Sequence, residues 1–299
     1  MDLILYSMLI VALLIALISF MIYRQRNWLS SGQSIEQTLA ACRSLLALIA
    51  GIQQHRGISS AWLAGDQSFK PRLDAKAREI EHLIPLLRDA AREEGRRAHP
   101  CLTLNELSLF QFNWTKMRDM LRGLSVEQSI AQHSFLVDQL LKWLGAIGES
   151  RVELVLGQKC ERGLVRNYAS RLPALTECLG QARALGTSVA AKQGCSAVAR
   201  VRLMFLIARA EALLSQAAEA GGQGRKAEQA KAAVQEMARV VRTQMLLSSS
   251  ISLPAPAYFA LATTAIDSVF SWIDECGTQI TQASLRRQGA QQSVLLQRV

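Results

Sequence analysis

Aromatic residues and prolines are scarce in this chain of 299 residues. Aromatic residues make up 6% of the sequence and there are six prolines, whereas half of all residues are hydrophobic. Runs of alternating β-branched residues, which would indicate strands, are also missing. Such a composition is typical of an all-α protein. The spacing of apolar residues predicts seven or eight helices arranged in two antiparallel bundles.

The sequence also lacks the motifs of common enzymes and metal sites. Its six cysteines form no CxxC pair, and its four histidines do not stand with them at zinc-binding spacing. There is no glycine-rich phosphate loop, no HExxH and no GxSxG. We therefore expect no catalytic activity, no cofactor and no bound metal.

Long basic tracts with interleaved aromatic residues are missing as well. The formal net charge is +10, but the basic residues are scattered among acidic ones. This pattern favours solvated helix faces over a nucleic-acid interface, so we expect no nucleic-acid partner. The excess positive charge would still attract small anions.

An apolar segment opens the chain. Residues 3–23, LILYSMLIVALLIALISFMIY, are apolar apart from two serines and are long enough to span a bilayer. No positive charge precedes the segment and no A-x-A site follows it, so it does not resemble a cleavable signal peptide. Arg24 and Arg26 follow it directly. The positive-inside rule then predicts a single-pass protein of a bacterial-type inner membrane with its bulk in the cytoplasm. The opposite orientation, with a periplasmic sensor, is the alternative.

The rest of the chain is predicted to be one helical domain with a tail. Residues 1–29 form the anchor and a short joint, residues 30–285 the helical domain, and residues 286–299 a polar C-terminal tail. Pro71 is expected to open the second helix and Pro85 to kink it. Predicted helices cover about 34–64, 71–94, 103–122, 125–146, 150–190, 196–219, 226–249 and 256–283.

A charged residue interrupts the apolar face of the first soluble helix. That face has helical spacing and consists of Ile35, Leu39, Cys42, Leu45, Ile49 and Ile52. The next position on it is Arg56, followed by Gly57, while His55 is expected at the rim. Because a guanidinium keeps its charge, a buried Arg56 needs either a bound anion or a carboxylate such as Glu153 or Glu161.

A second stretch is similar to the one around Arg56. In QKCERGLVRNYA, residues 158–169, Arg162 and Gly163 align with Arg56 and Gly57. Arg166 lies four residues after Arg162, on the same face of a helix.

Three segments together resemble the nitrate- and nitrite-sensing (NIT) domain family. The first is Q-x-x-R-G-x-S-x-x-x-L, from Gln53 to Leu63. The second family pattern, K-E-x-x-G-x-E-R, is matched by Lys159, Gly163 and Arg166, although Cys160 and Val165 replace its glutamates. The third is an aromatic pair followed by T-x-x-I-D, found here as Tyr258, Phe259, Thr263, Ile266 and Asp267.

The resemblance implies two helical bundles with a small anion between them. Carried over to this chain, it implies that nitrate or nitrite is held by Arg56 and by Arg166 or its rival Arg162. Gln53 is a further candidate donor, and Gly57 and Gly163 would allow close approach. The remaining arginines available to the site are Arg183, Arg202 and Arg209.

Members of this family usually pass their signal to an output module, and none is evident here. We therefore expect a membrane-anchored sensor that signals to a separate, unidentified protein, and we allow for a homodimer. The competing hypothesis is a helical scaffolding protein of the inner membrane that binds partners and no small ligand.

Overall fold

The computed structural model describes residues 35–156, 159–221, 224–247 and 251–296. Within these ranges every regular element is a helix and there is no strand, which confirms the all-α prediction. The predicted membrane span at residues 3–23 lies outside the described residues.

The first bundle contains five helices. They are α1 (Ile35–Leu63), α2 (Lys70–Leu83), α3 (Arg88–Gly95), α4 (Leu104–Met120) and α5 (Val126–Ile147). Pro71 lies in the first turn of α2, and a 3₁₀ turn that contains Pro85 separates α2 from α3, as predicted. A capping box of Ser125 and Gln128 begins α5.

The connection between the bundles departs from α-helical geometry in two places. A π-helical segment, Gly148–Glu153, follows α5, and another, Asn167–Arg171, precedes α8. Between them lie α6 (Leu154–Leu156) and α7 (Lys159–Arg166). A π turn contains one more residue than an α turn and therefore rotates the helix face that follows it.

The second bundle contains four helices. They are α8 (Leu172–Ala191), α9 (Ala197–Glu219), α10 (Arg225–Val240) and α11 (Ala255–Leu296). The expected end of the last helix near residue 283 is wrong, because the helix continues to Leu296. No proline or glycine interrupts residues 278–288, and Ser284 is still buried.

Helix α1 is the one helix among the described residues that is long and apolar enough to cross a membrane. More than half of its most apolar window, 56%, is buried inside the protein. Leu45, Ile49 and Ile52 on its inner face are fully buried. These features fit a core helix of the first bundle, so α1 is only weak evidence for membrane insertion.

Helix α8 packs against helices of both bundles, α5 on one side and α9 and α11 on the other. Its contact with α11 is tight at Gly186, where an added Cβ would lie 2.4 Å from the Tyr258 ring. The Tyr258 hydroxyl donates a hydrogen bond of 2.8 Å to the Ala182 carbonyl. This contact fixes the part of α8 that carries the candidate site.

We expect Gly186→Ala to lower the free energy of unfolding by about 1–3 kcal/mol, because the rigid Tyr258 ring must move. Chemical denaturation of the purified protein measures the change. Gly95→Ala is the matched control, because a Cβ added at Gly95 would meet nothing within 4 Å, and its stability should be unchanged or slightly higher. Equal stability of the two variants would contradict the close packing of α8 on α11.

Candidate functional site

Arg56 is buried in a pair with a carboxylate of the protein. Its side chain is 1% exposed and that of Glu177, on α8, is 5% exposed. Nη1 donates to Glu177 Oε1 at 2.6 Å and to the Ser134 hydroxyl at 2.8 Å, and Nη2 donates to Glu177 Oε2 at 3.2 Å. The pair therefore joins α1 of the first bundle to α8 of the second.

The Glu177 carboxylate is fully hydrogen-bonded. Besides the two bonds from Arg56, it accepts one from Gln53 Nε2 at 3.1 Å and one from Gln181 Nε2 at 2.8 Å. Four donors on two oxygens compensate for the loss of water around a buried charge. Gly180 leaves the space that the Arg56 guanidinium occupies, because a Cβ at this position would lie 2.5 Å from Arg56 Nη2.

Burial of Arg56 was expected from the apolar stripe, but its partner was not. The sequence suggested Glu153 or Glu161 as the partner, whereas the structure pairs Arg56 with Glu177. The signal for Glu177 was a lone carboxylate in the apolar run LPALTECLG. A charge in that setting needs a buried counterion.

Arg162 and Arg166 lie away from this pair. Their side chains are about half exposed, at 53% and 49%, and both contact Glu153. Neither guanidinium turns inward opposite Arg56 in this structure. Gly163 packs instead on the carbonyl group of Ala220.

Arg183 is the second buried guanidinium near Arg56. It is 5% exposed, and it donates to the backbone carbonyl of Gln53 at 3.3 Å and to the Thr263 hydroxyl at 3.1 Å. Among the residues that the structure describes, no carboxylate lies within 4 Å of it. Gly57 leaves room for it, since a Cβ there would be 3.4 Å from Arg183 Nη2.

The electrostatic surroundings of Arg183 are unusual for an arginine. Burial, and then the nearby charge of Arg56, lower the pKa of Arg183 to about 10. Its guanidinium lies over the Phe259 ring, 4.9 Å from the centroid, which supplies only a weak attraction for the cation. Burial also raises the pKa of the Asp267 carboxyl, although Arg183 opposes that shift.

Arg183 lines a cleft of about 450 Å³ between the bundles. Helices α1 and α2 form one wall, and α8 and α11 form the other. The lining residues that carry polar or charged groups are Gln53, Gln54, Arg72, Lys76, Glu79, Arg183, Thr263 and Asp267. Lys76 is bonded to Glu79, whereas Arg72 has no ion pair in the described part of the chain. Arg183 and Arg72 are thus available to an anion.

Two histidines are buried behind Arg56. His133 Nδ1 donates to the Ser129 carbonyl at 2.6 Å, so its Nε2 accepts a bond of 2.8 Å from His55 Nδ1. His55 Nε2 is then left without a partner, beside the Trp114 ring. Burial lowers the pKa of His55 to about 4 and that of His133 well below its ordinary value. The expected position of His55 at the rim is wrong.

These features define a class of protein, an all-helical two-bundle protein with arginines directed into the cleft between the bundles. The family model for nitrate and nitrite sensing (NIT) matches residues 47–281, so the chain belongs to the NIT family. The fold is similar to that in "Structure of the NasR transcription antiterminator", with a TM-score of 0.70 and 17% sequence identity. The match covers 94% of this chain and 77% of that one. No curated protein sequence matches the chain.

Arg56→Met should lower the free energy of unfolding by about 3–5 kcal/mol, because it leaves the Glu177 carboxylate buried without its cation. Denaturant unfolding measures the loss. Arg166→Met is the control, since its exposed pair with Glu153 contributes less than about 1 kcal/mol. A small effect of Arg56→Met would contradict the buried pair.

Stability should decline as the pH falls from about 6.5 towards 4. Both buried histidines have a folded-state pKa below the unfolded value, so the unfolded chain binds more protons in this window. The decline is measured as the thermal midpoint at pH 7.5, 6 and 5. His133→Gln should reduce the decline of the thermal midpoint with falling pH, whereas His82→Gln, at an exposed position, should leave the decline unchanged. If stability falls with pH at the same slope in the wild type and in both variants, the two buried histidines do not cause the decline.

Proposed function

We propose that this protein senses nitrate or nitrite by binding the anion in the cleft between the two bundles. Membership of the NIT family supports the ligand class. The likeness to the NasR structure supports the two-bundle fold. The position of the site within that fold is our inference from the charges of the cleft.

The observation that carries the proposal is Arg183. It is a buried guanidinium without a carboxylate partner among the described residues, and it lines a cleft wide enough for a small ion. A buried charge without a counterion costs several kcal/mol, so a bound anion would stabilise it. Nitrate and nitrite are planar, and their oxygens match the planar fork of donors on a guanidinium.

Among the residues predicted from the sequence, Gln53 and Gly57 adjoin this site directly. Gln53 lines the cleft, and Gly57 lies beside Arg183. Arg56 supports the site from behind through Glu177. On the outer side, Arg72 of α2 would attract the anion and contact it from the opposite wall. We do not assign Arg162, Arg166 or Gly163 to the site, because they lie on α7 and none of them lines the cleft.

Binding in the cleft would link the two walls. The walls belong to different bundles, so an anion that contacts both favours their closed arrangement over an open one. Helix α11, with 42 residues, is about 63 Å long and could carry the change from the cleft towards a downstream partner. We infer a non-enzymatic role in signalling rather than catalysis.

Location and partners follow from the same proposal. We propose that residues 3–23 anchor the protein in a bacterial inner membrane with the sensor in the cytoplasm. The neighbour NasR is a transcription antiterminator, which does not fit our expectation that there is no nucleic-acid partner. For this chain that expectation stays a prediction, as does a homodimer.

A scaffolding role without a ligand is the second candidate function. It is favoured by apolar side chains on the outer face of α9, where Val198, Val201 and Phe205 are 61–71% exposed. Contiguous exposed apolar residues often mark a protein interface. A downstream partner of the sensor would also use such a face, so anion binding decides between the two functions.

The test is the thermal midpoint of purified protein titrated with sodium nitrate, nitrite and chloride. A ligand that binds only the folded state raises the midpoint. We expect a rise with nitrate or nitrite, and Arg183→Gln should weaken binding at least about tenfold, because it removes the buried cation. Arg202→Gln, on the exposed face of α9, should bind like the wild type. If no anion shifts the midpoint, the scaffold replaces the sensor.

A further inference from the structure

Glu177 contributes a negative charge to the back of the proposed anion site. It lies behind the cleft wall that Gln53 forms, because the side-chain Nε2 of Gln53 donates to Glu177 while its backbone carbonyl accepts from Arg183. Gln53 is itself 1% exposed, so little water lies between the Glu177 carboxylate and the Arg183 guanidinium. The anion in the cleft would therefore be exposed to the charges of Arg56 and Glu177 as well as to that of Arg183.

The buried charges near the cleft do not balance. Arg56 and Arg183 contribute two positive charges and Glu177 one negative charge, and all three are at most 5% exposed. The charged residues at the rim do balance, with Arg72 and Lys76 against Glu79 and Asp267. The site as a whole has a single net positive charge.

We propose that Glu177 makes the site selective for monovalent over divalent anions. This inference rests on the proposed function and concerns the specificity of the same site. Because these three side chains are buried, water screens their charges little, and a ligand that brings their net charge to zero is favoured. Nitrate and nitrite, with one negative charge, do so, whereas sulfate leaves one negative charge in excess.

Glu177 is well placed to act through its charge alone. Its two oxygens already accept four hydrogen bonds, so it does not compete for the donors of Arg183. It also occupies both Nη groups of Arg56, which keeps that guanidinium from serving as a second ligand. Without the carboxylate, Arg56 would add a second positive charge with free donors, as a divalent oxyanion requires.

The experiment compares nitrate and sulfate binding, by calorimetry at constant ionic strength, in the wild type and in Glu177→Gln. Glutamine keeps the shape and removes the charge. The wild type should prefer nitrate, and Glu177→Gln should raise the affinity for sulfate at least about tenfold relative to that for nitrate. Glu236→Gln removes the same charge on the exposed face of α10, away from the cleft, so it should change the ratio less than about twofold.

A second variant covers the case in which Glu177→Gln does not fold. Arg56→Gln with Glu177→Gln removes both charges and restores the single net positive charge, so it should keep the preference for nitrate. If the double variant loses nitrate binding while folded, Arg56 is a direct ligand and the inference is overturned.

The two proposals fail in different ways. If the wild type binds nitrate and a folded Glu177→Gln variant keeps the preference of the wild type, only the role of Glu177 is refuted. If the wild type binds neither anion, the proposed function fails and the selectivity falls with it.

Discussion

The pair of Arg56 and Glu177 is the interaction on which the arrangement of the two bundles depends. It joins α1 to α8 through two hydrogen bonds in a region that excludes water. Burying either charge alone would be costly, which favours the meeting of the two helices here in one register. Gly180 is the glycine that this contact requires, because any side chain at its position would collide with the guanidinium. The polar groups of Gln53, Gln181 and Ser134 then complete the hydrogen bonds of the pair.

A neighbouring arginine has the opposite role because its surroundings differ. Arg183 lies six residues beyond Glu177 on α8 and is almost equally buried, but its hydrogen bonds go to neutral oxygens of Gln53 and Thr263. Neutral acceptors satisfy donors without compensating charge. The protein thus neutralises one buried guanidinium and leaves the next one facing a cleft. That asymmetry distinguishes a structural arginine from one that can bind a ligand.

The sequence was informative where a periodic pattern runs unbroken within one helix. The stripe of α1 predicted that Arg56 is buried, and Pro85 marked an interruption between helices that the structure contains. Extrapolation is less secure across the two π segments, because a π turn contains one more residue than an α turn. Arg162 and Arg166 follow the first of these segments and point to solvent. Glu177 and Arg183 follow the second, so their inward orientation could not be read from spacing.

The buried pair also constrains how an anion could move the bundles. Arg56 and Glu177 are already in contact, so a closure of the cleft that keeps this contact would be a rotation about it. Arg72 on α2 and Thr263 on α11 lie on opposite walls beyond Arg183, where a small rotation changes the gap between them. A single small anion can contact both walls only when the gap between them is narrow. Its binding would therefore favour the closed arrangement, even though it makes few contacts. If an anion binds as we propose, the salt bridge would serve as the pivot, and binding at the arginine without a carboxylate partner would supply the free energy for closure.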